Sequence, residues 1–467
     1  MKIFDHSVGL YTDHYELTMA QGYFLSGKYT QRASFDYFYR RNPYKGGFVT
    51  FSGLSTFLEI LKDFKFSEDD CAYLISVGFD KEFVNHLKNF RFRGHIWSVQ
   101  EGEVVFPNEP IVRVEGNLLE TQLIETLLLN ILNFESLIAT KANRMRMVAG
   151  DRLLLEFGLR RAQGLGGLMA TKAAMNGGFD ATSNVLSAKI FSVVSTGTMA
   201  HSWIQSFSTE LEAFRTYARI FPDNCILLVD TYDTLKSGVP NAIKIAEELK
   251  SQGKKLAGIR LDSGDLTYLS KQTRKMLDAA GFPDAKIVAS NQLDEFIIQS
   301  LLSQGAPIDS FGVGTSLATG KEDAALDGVY KLSDLDGSPT MKFSENLAKM
   351  TLPGKKKIFR YFDEEGLFKC DAILLEEDTQ ITAMYHPTEP GKHLDLQSLR
   401  FEELLKPVVS SGKIVVSSAQ SKEIAIFTKN RLKKLPEEYK RFLNPHVYKV
   451  GISNKLMQTR NKLTNRE

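Results

Sequence analysis

"CILLVDTYDTLKSGVPNAIKIAEELKSQGKKLAGIRLDS", residues 225–263, holds the alternation that decides the fold. It opens on a short apolar, β-rich run, turns through Gly238 and Pro240, and closes on a second such run ending at Asp262-Ser263. Between the runs, Val239, Ala242, Ile243, Ala246 and Leu249 fall on one face of a helix. Strands that are apolar throughout are buried on both faces, and strands alternating with amphipathic helices make a parallel sheet.

The same unit recurs on either side. LLLEFGL (153–159), FSVVST (191–196), AKIVASN (285–291) and IDSFGVGT (308–315) read as further strands. Runs starting at 225, 256, 285 and 308 lie 31, 29 and 23 residues apart, a βα cadence. In the second helix Leu269, Met276, Leu277 and Ala280 share a face. Gly253, Gly281 and Gly305 stand where helices end on a left-handed residue. No GxGxxG follows the first strand, which favours a closed or partly closed barrel over an open dinucleotide-binding sheet.

Outside the cadence the pattern changes. Residues 32–54 and 94–116 read as short strands around Pro/Gly turns, an α+β region of their own. The expected organisation is an N-terminal α+β sandwich domain over 1–135, completed by 335–390. A βα barrel over 136–334 carries the mouth, and a helical extension over 391–467 ends in a loose polar tail, NKLTNRE.

The totals describe an ordinary soluble globular chain of 467 residues, 43% hydrophobic and 24% charged. Lys+Arg 58 against Asp+Glu 56 leaves +2, so no overall field argues for nucleic acid or a membrane surface. Cys71, Cys225 and Cys370 are far apart and give neither a disulfide framework nor zinc spacing. MKIFDHSVGLYTDHYEL (1–17) lacks the apolar core of a signal peptide. Glutamates interrupt LLETQLIETLLLNILNF (118–134), which reads as a buried helix. The expected location is cytoplasmic. Cys225 reads as core, and the basic runs PGKKK (353–357) and KNRLKK (429–434) as solvated surface.

The ends of the candidate strands collect polar residues: Arg160-Arg161, Thr196 to His201, Asp230 with Asp233, Arg260 with Asp262, Ser290-Asn291, and Gly312 to Ser316. In an α/β barrel these positions form one face, and active sites sit there. GVGTSLATG (312–320) can turn backbone N–H groups toward a phosphate, although unliganded glycine turns share the pattern. Arg260 and Asp262 alternate along a strand end, as a structural ion pair or as separate contacts to an anion and to sugar hydroxyls. His201 is either a helix-start residue with a structural hydrogen bond or a reactive group.

Ten segments in order resemble nicotinate phosphoribosyltransferases. They are LYTDHYELTMAQGYF (10–24), FYRRNPYKGGFVTFSGL (38–54), EFGLRRAQG (156–164), GGFDATSNV (177–185), STGTMAHSWIQSF (195–207), LLVDTYDTLKSGVPNAI (227–243), IRLDSGDL (259–266), SNQLDE (290–295), FGVGTSLAT (311–319) and PGKKKIFR (353–360). The resemblance runs to about residue 375. It implies the α/β, type II phosphoribosyltransferase architecture: an irregular (β/α) barrel plus an N-terminal α/β sandwich domain. It also implies a homodimer with composite active sites. The reaction implied joins nicotinate to 5-phosphoribosyl-1-pyrophosphate, giving nicotinate mononucleotide and pyrophosphate. ATP is co-substrate, hydrolysed through a phosphohistidine at His201, and Mg²⁺ is carried by the substrates with no protein metal site. By the same match Tyr15 and Phe157 stack on the pyridine ring, while Arg260 and Thr198 hold its carboxylate. Asp262 serves the ribose, Ser290, Asn291, Gly314 and Thr315 the ribose and 5-phosphate, and Arg160 the pyrophosphate. Two alternatives are a nicotinamide-using relative and a non-catalytic, nucleotide-sensing descendant. The run Gly197-Thr198-Met199-Ala200-His201 without a nearby acid favours nicotinate, and the intact Arg260, Asp262 and His201 favour catalysis.

Overall fold

Buried apolar strands separated by capped helices build one of two units in the structure, a computed structural model describing residues 8–343, 351–389 and 391–464. This unit spans Lys141–Ala324; the other combines Met1–Thr140 with Ala325–Glu467. Numbered within the Lys141–Ala324 unit, the strands are β1 Leu153–Glu156, β2 Ala181–Thr182, β3 Ile226–Leu228, β4 Gly258–Leu261, β5 Lys286–Ser290 and β6 Ser310–Val313. They form one parallel sheet in the order β2-β1-β6-β5-β4-β3. Its helices are α1 Gly166–Asn176, α2 Val185–Phe191, α3 His201–Gln205, α4 Glu210–Ile220, α5 Val239–Ser251, α6 Leu266–Ala279, α7 Glu295–Ser303 and α8 Thr315–Ala318.

Local chemistry sets the helix ends. Asp265 and Asp294 accept from Tyr268 and Ile297 backbone N–H groups at 2.9 and 2.8 Å, capping α6 and α7. Gly253, Gly281 and Gly305 have φ of 71°, 84° and 73°, the left-handed stops their positions suggest. On α5 the buried stripe is Val239, Ala242, Ile245, Ala246 and Leu249. Ile245 therefore takes the core position expected of Ile243, which is half-buried. On α6 the fully buried residues are Ser270, Thr273 and Leu277, with Leu269, Met276 and Ala280 half-buried beside them.

One expected strand is largely absent. Phe191 ends α2, Ser192 turns at φ 54°, and only Ser195 pairs, in a single parallel bridge to Thr182. Asn184, whose side chain accepts from Ser187 N–H at 3.2 Å, starts that helix. It takes Phe191, and the left-handed Ser192 then breaks the extended backbone a longer strand would need. The bridge still adds a seventh parallel position beyond β2, so the barrel is irregular.

The other unit holds a seven-stranded sheet in the order Ser338–Pro339, Gly328–Leu335, Arg32–Tyr39, Val112–Asn117, His95–Ser98, Lys406–Ser410, Lys413–Ile414. A six-stranded sheet runs His393–Asp395, Ala383–Tyr385, Val450–Ile452, Phe368–Leu375, Lys356–Phe362, Arg400–Glu403. Two expectations need correction here. Gly328–Leu335 pairs antiparallel with Arg32–Tyr39, so the return to this unit precedes residue 335. Such a pairing is set by contacts some 300 residues apart in sequence and leaves no local signal. Residues 391–464 are not simply helical: they contribute five strands beside the helices Ser421–Lys434, Glu437–Lys440 and Asn454–Thr464. Three of those strands are outer edges, and Arg400–Glu403 is mostly exposed, so the alternation that betrays a strand is missing. The expected loose tail is helical through Thr464, and 465–467 lie outside the described residues.

The two basic runs are not wholly solvated either. Lys356 is buried, 2.7 Å from Asp36 Oδ2. Arg431 is buried against Glu103 at 2.8 Å, beside a fully buried Arg360. Arg360 donates to Asp371, to Glu103 at 2.7 Å and to the Val104 carbonyl at 2.8 Å. Buried cations need such partners, since an unpaired one would cost several kcal/mol. The helical stretch Leu118–Ala149 is long and apolar enough to cross a membrane, but 72% of its apolar window is buried inside the protein. All three cysteines are buried and free.

Candidate active site

β1, β2, β4, β5 and β6 end at the same cavity, about 500 Å³ in volume. β1 delivers Phe157 and, on the turn Leu159–Arg161, the exposed Arg160 and Arg161. The segment after the Ser195 bridge delivers Gly197 and Thr198, β4 delivers Arg260 and Asp262, and β5 delivers Ser290 and Asn291. β6 contributes Gly312, Gly314 and Thr315. Thus nine of the expected site residues (Phe157, Arg160, Thr198, Arg260, Asp262, Ser290, Asn291, Gly314 and Thr315) line one space.

Arg260 is the electrostatic centre. Its side chain is only 13% exposed. One Nη donates to Thr198 Oγ1, the other lies 3.8 Å from Asp262 Oδ1, and Nε is buried with no hydrogen-bond partner. Burial pushes its pKa down, and Asp262 and Asp230 pull it back only in part. A guanidinium this short of partners favours an incoming anion.

The carboxylates beside it are partly occupied, and Asp230 Oδ1 is buried with no hydrogen-bond partner. Asp262 Oδ1 accepts from Ser290 Oγ. Asp230 Oδ2 accepts from the Asp262 N–H and from Ser263 Oγ, each at 2.7 Å, and so fixes the strand end. His201, the first residue of α3, has Nδ1 3.0 Å from Thr231 Oγ1 and Nε2 3.8 Å from Asp262 Oδ2. Its side chain is 39% exposed, and it is not itself among the residues lining the cavity, although Ala200 before it and Asp262 are. Tyr15 belongs to the other unit, on the helix His14–Leu25, and is 47% exposed.

Two residues that hold the site escape the sequence reading. Thr231 fixes the His201 ring; its only signal is its place just past a strand. Glu156, 1% exposed, accepts from Gly158 N–H, from Thr171 Oγ1 at 3.0 Å and from Thr182 Oγ1 at 2.5 Å. It ties β1, β2 and α1 together, and nothing in its local sequence separates it from a solvated glutamate.

Gly312 shows how the aromatic wall is made. A Cβ there would lie 2.5 Å from Cε2 and 2.6 Å from Cδ2 of Phe157, so only glycine lets the ring lie flat on β6. Gly312→Ala is expected to cost about 1–3 kcal/mol as overpacking. A lower urea midpoint at unchanged m-value would register it; an unshifted midpoint would mean that the ring yields freely.

The fold is the type II phosphoribosyltransferase architecture, with a parallel α/β barrel in one unit and antiparallel-rich sheets in the other. Models of the nicotinate phosphoribosyltransferase (NAPRTase) N-terminal domain, of the family and of its C-terminal domain match residues 10–133, 153–366 and 355–460. A nicotinate phosphoribosyltransferase from Bacillus subtilis is 43% identical over 460 residues, covering 96% of this chain and 94% of that protein. One from Caenorhabditis elegans is 37% identical, covering 96% and 92%. The crystal structure of human nicotinic acid phosphoribosyltransferase superposes with a TM-score of 0.87 at 31% identity, covering 97% of this chain and 99% of that one. The chain belongs to the nicotinate phosphoribosyltransferase family.

Proposed function

We propose that this chain joins nicotinate to 5-phosphoribosyl-1-pyrophosphate, releasing nicotinate mononucleotide and pyrophosphate. This is the first step of making NAD from salvaged nicotinate. The observation that carries the reading is Arg260, buried, short of partners and in the same cavity as the ring of Phe157. A cation paired with an aromatic wall suits a pyridine carboxylate better than a neutral amide. The names of the relatives agree.

In the proposed reaction Arg260 and Thr198 hold the carboxylate, and Phe157 stacks on the ring. The pyridine nitrogen uses its lone pair to attack ribose C1, and the C1–O bond to pyrophosphate breaks with its electron pair leaving on oxygen. No proton is transferred. Positive charge developing on the sugar is met by Asp262, held in place by Ser290 and by the Asp230 clamp. Arg160 faces the pyrophosphate, and the turns at Asn291 and Gly314-Thr315 take the 5-phosphate. ATP is cleaved through phosphorylation of His201. The exposed Tyr15 and Met19 on one helix, and Val185 and Leu186 on α2, are apolar surface that a second copy would cover. This supports a homodimer in which Tyr15 completes a neighbour's mouth. Free buried thiols suit the cytoplasm.

Among the described residues no group of three or more His, Cys, Asp or Glu could hold a metal. Asp230 Oδ2 and Asp262 Oδ1 accept N–H and O–H donors, while Asp230 Oδ1 has no partner. In this reading Mg²⁺ is an ion carried largely by the phosphates and water, where it would neutralise the departing pyrophosphate. EDTA is expected to abolish turnover with near-ultraviolet circular dichroism unchanged, and added Mg²⁺ to restore it. Stoichiometric zinc in the purified protein, or unfolding on chelation, would overturn this.

Mononucleotide formation from radiolabelled nicotinate against nicotinamide, with and without ATP, tests the whole reading. Preference for nicotinamide would establish the amide-using alternative, and no product from either base would establish the non-catalytic one.

A further inference from the structure

The end of the helix Glu125–Ala149 belongs to the Lys141–Ala324 unit and carries two cations, Lys141 and Arg144. Lys141 is 1% exposed, and its Nζ lies 2.9 Å from Glu295 Oε2 and 3.7 Å from Glu322 Oε2. Arg144 Nε, on the next turn, lies 2.8 Å from Glu295 Oε1. Glu295 is the first residue of α7 and wholly buried. Burial raises its pKa, but Lys141 and Arg144 more than offset this and hold it below the usual carboxylate range.

The two carboxylates sit behind two different turns of the mouth. Glu295 follows the turn Asn291-Gln292, where both residues are left-handed, at φ 75° and 51°. Two successive non-glycine residues in that region persist only where surrounding structure holds them. Glu322, at φ 93°, belongs to the loop behind α8, which is tied to that helix by Lys321 N–H donating to the Ser316 carbonyl at 3.0 Å. Asn291 and Gln292 line the cavity at the end of β5; Gly314 and Thr315, which open α8, line it at the end of the neighbouring β6. A buried ion cluster adds little stability over apolar packing of the same volume, so its value here is geometric.

We infer that Lys141 is a positioning residue for the phosphoribosyl donor, setting the separation of the turns behind β5 and β6 through Glu295 and Glu322. The donor side of this rests on the reading of the mouth given under Proposed function; the coupling of the two turns does not. Lys141 touches no substrate in this scheme. Lys141→Met keeps the length of the side chain and leaves Glu295 its bond to Arg144, whereas Lys141→Arg restores a charge.

The experiment has two arms. In ligand-free protein, hydrogen exchange should quicken in Lys141→Met over both 290–296 and 314–322, with the remaining barrel strands unchanged. In steady-state kinetics the KM for 5-phosphoribosyl-1-pyrophosphate should rise about tenfold, with kcat and the KM for nicotinate moving less than about twofold and Lys141→Arg recovering part of the loss. Glu322 is 42% exposed, so Glu322→Gln tests the link without a folding risk. It should loosen 314–322 and raise the same KM by about twofold to threefold. Loosening of only one turn in Lys141→Met, or equal rises in both KM values, would overturn the inference. If the wild type made no mononucleotide, the proposed function would fall while the exchange arm still decided the coupling. If Lys141→Met did not fold, unchanged exchange and KM in Glu322→Gln would overturn the inference.

Discussion

His201→Asn is expected to lose ATP hydrolysis and acid-labile labelling from γ-³²P-ATP entirely, while keeping slow ATP-independent formation of mononucleotide. The ring is oriented rather than buried: Nδ1 is held by Thr231 Oγ1 at 3.0 Å and Nε2 looks toward Asp262 at 3.8 Å. Asparagine keeps a polar side chain but cannot form a phosphoramidate. A phosphate on this histidine adds roughly 1.5–2 negative charges and strong acceptor oxygens at the mouth, able to order loops and recruit arginines. Removing the acceptor therefore removes the bias ATP places on transfer and leaves the transfer site intact. At 39% side-chain exposure the substitution should change stability by no more than about 0.5 kcal/mol, so circular dichroism and Tm serve as controls. Thr231→Val, which keeps the histidine and removes its orienting hydroxyl, should weaken labelling without abolishing it. If His201→Asn still takes label and still couples ATP to product, another residue is the acceptor. If it unfolds, the histidine is structural.

The barrel is legible in the sequence because its strands are apolar on both faces and its helices are stopped by glycines, signals that survive without tertiary information. The mouth follows with no further assumption, since residues just past parallel strands must share a face; Arg260, Asp262 and Ser290-Asn291 are found in this way. What escapes is held by long-range contact. The strand expected at 191–196 shrinks to one bridge because the helix after Asn184 takes Phe191 and Ser192 turns left-handed. Lys356 and Arg431 lie in runs that look solvated, yet Asp36 and Glu103, more than 300 residues earlier, draw them inside. Glu156 and Thr231 matter through partners on other strands and loops, and a one-dimensional pattern does not carry that information. The proposed phosphorylation of His201 comes only from family resemblance, because spacing alone leaves His201 open between a structural and a reactive reading.

Arg260→Ala is expected to reduce kcat/KM for nicotinate by at least the ~1.5–3 kcal/mol of a hydrogen bond to a charged group, roughly 10- to 150-fold. The structure gives three reasons to place the loss at the carboxylate. The guanidinium is 13% exposed, so solvent screens it little. Its Nε has no hydrogen-bond partner, and its nearest carboxylate oxygen, on Asp262, is 3.8 Å away and already accepts from Ser290. Thr198 Oγ1, which accepts from one Nη, sits where it can share the same anion. Lysine at 260 should recover only part of the activity, because a point charge cannot reproduce the planar fork that meets two carboxylate oxygens at once. The decisive comparison is between bases. Nicotinamide offers no charge for Arg260 to meet, so turnover of that base should hardly change, and the ratio of nicotinate to nicotinamide turnover should collapse. A fall in both bases together would mean that Arg260 serves mainly to hold Asp262, with the loss at the ribose. Kinetics equal to wild type would remove Arg260 from the site, and with it the reason for reading this mouth as one that selects the acid.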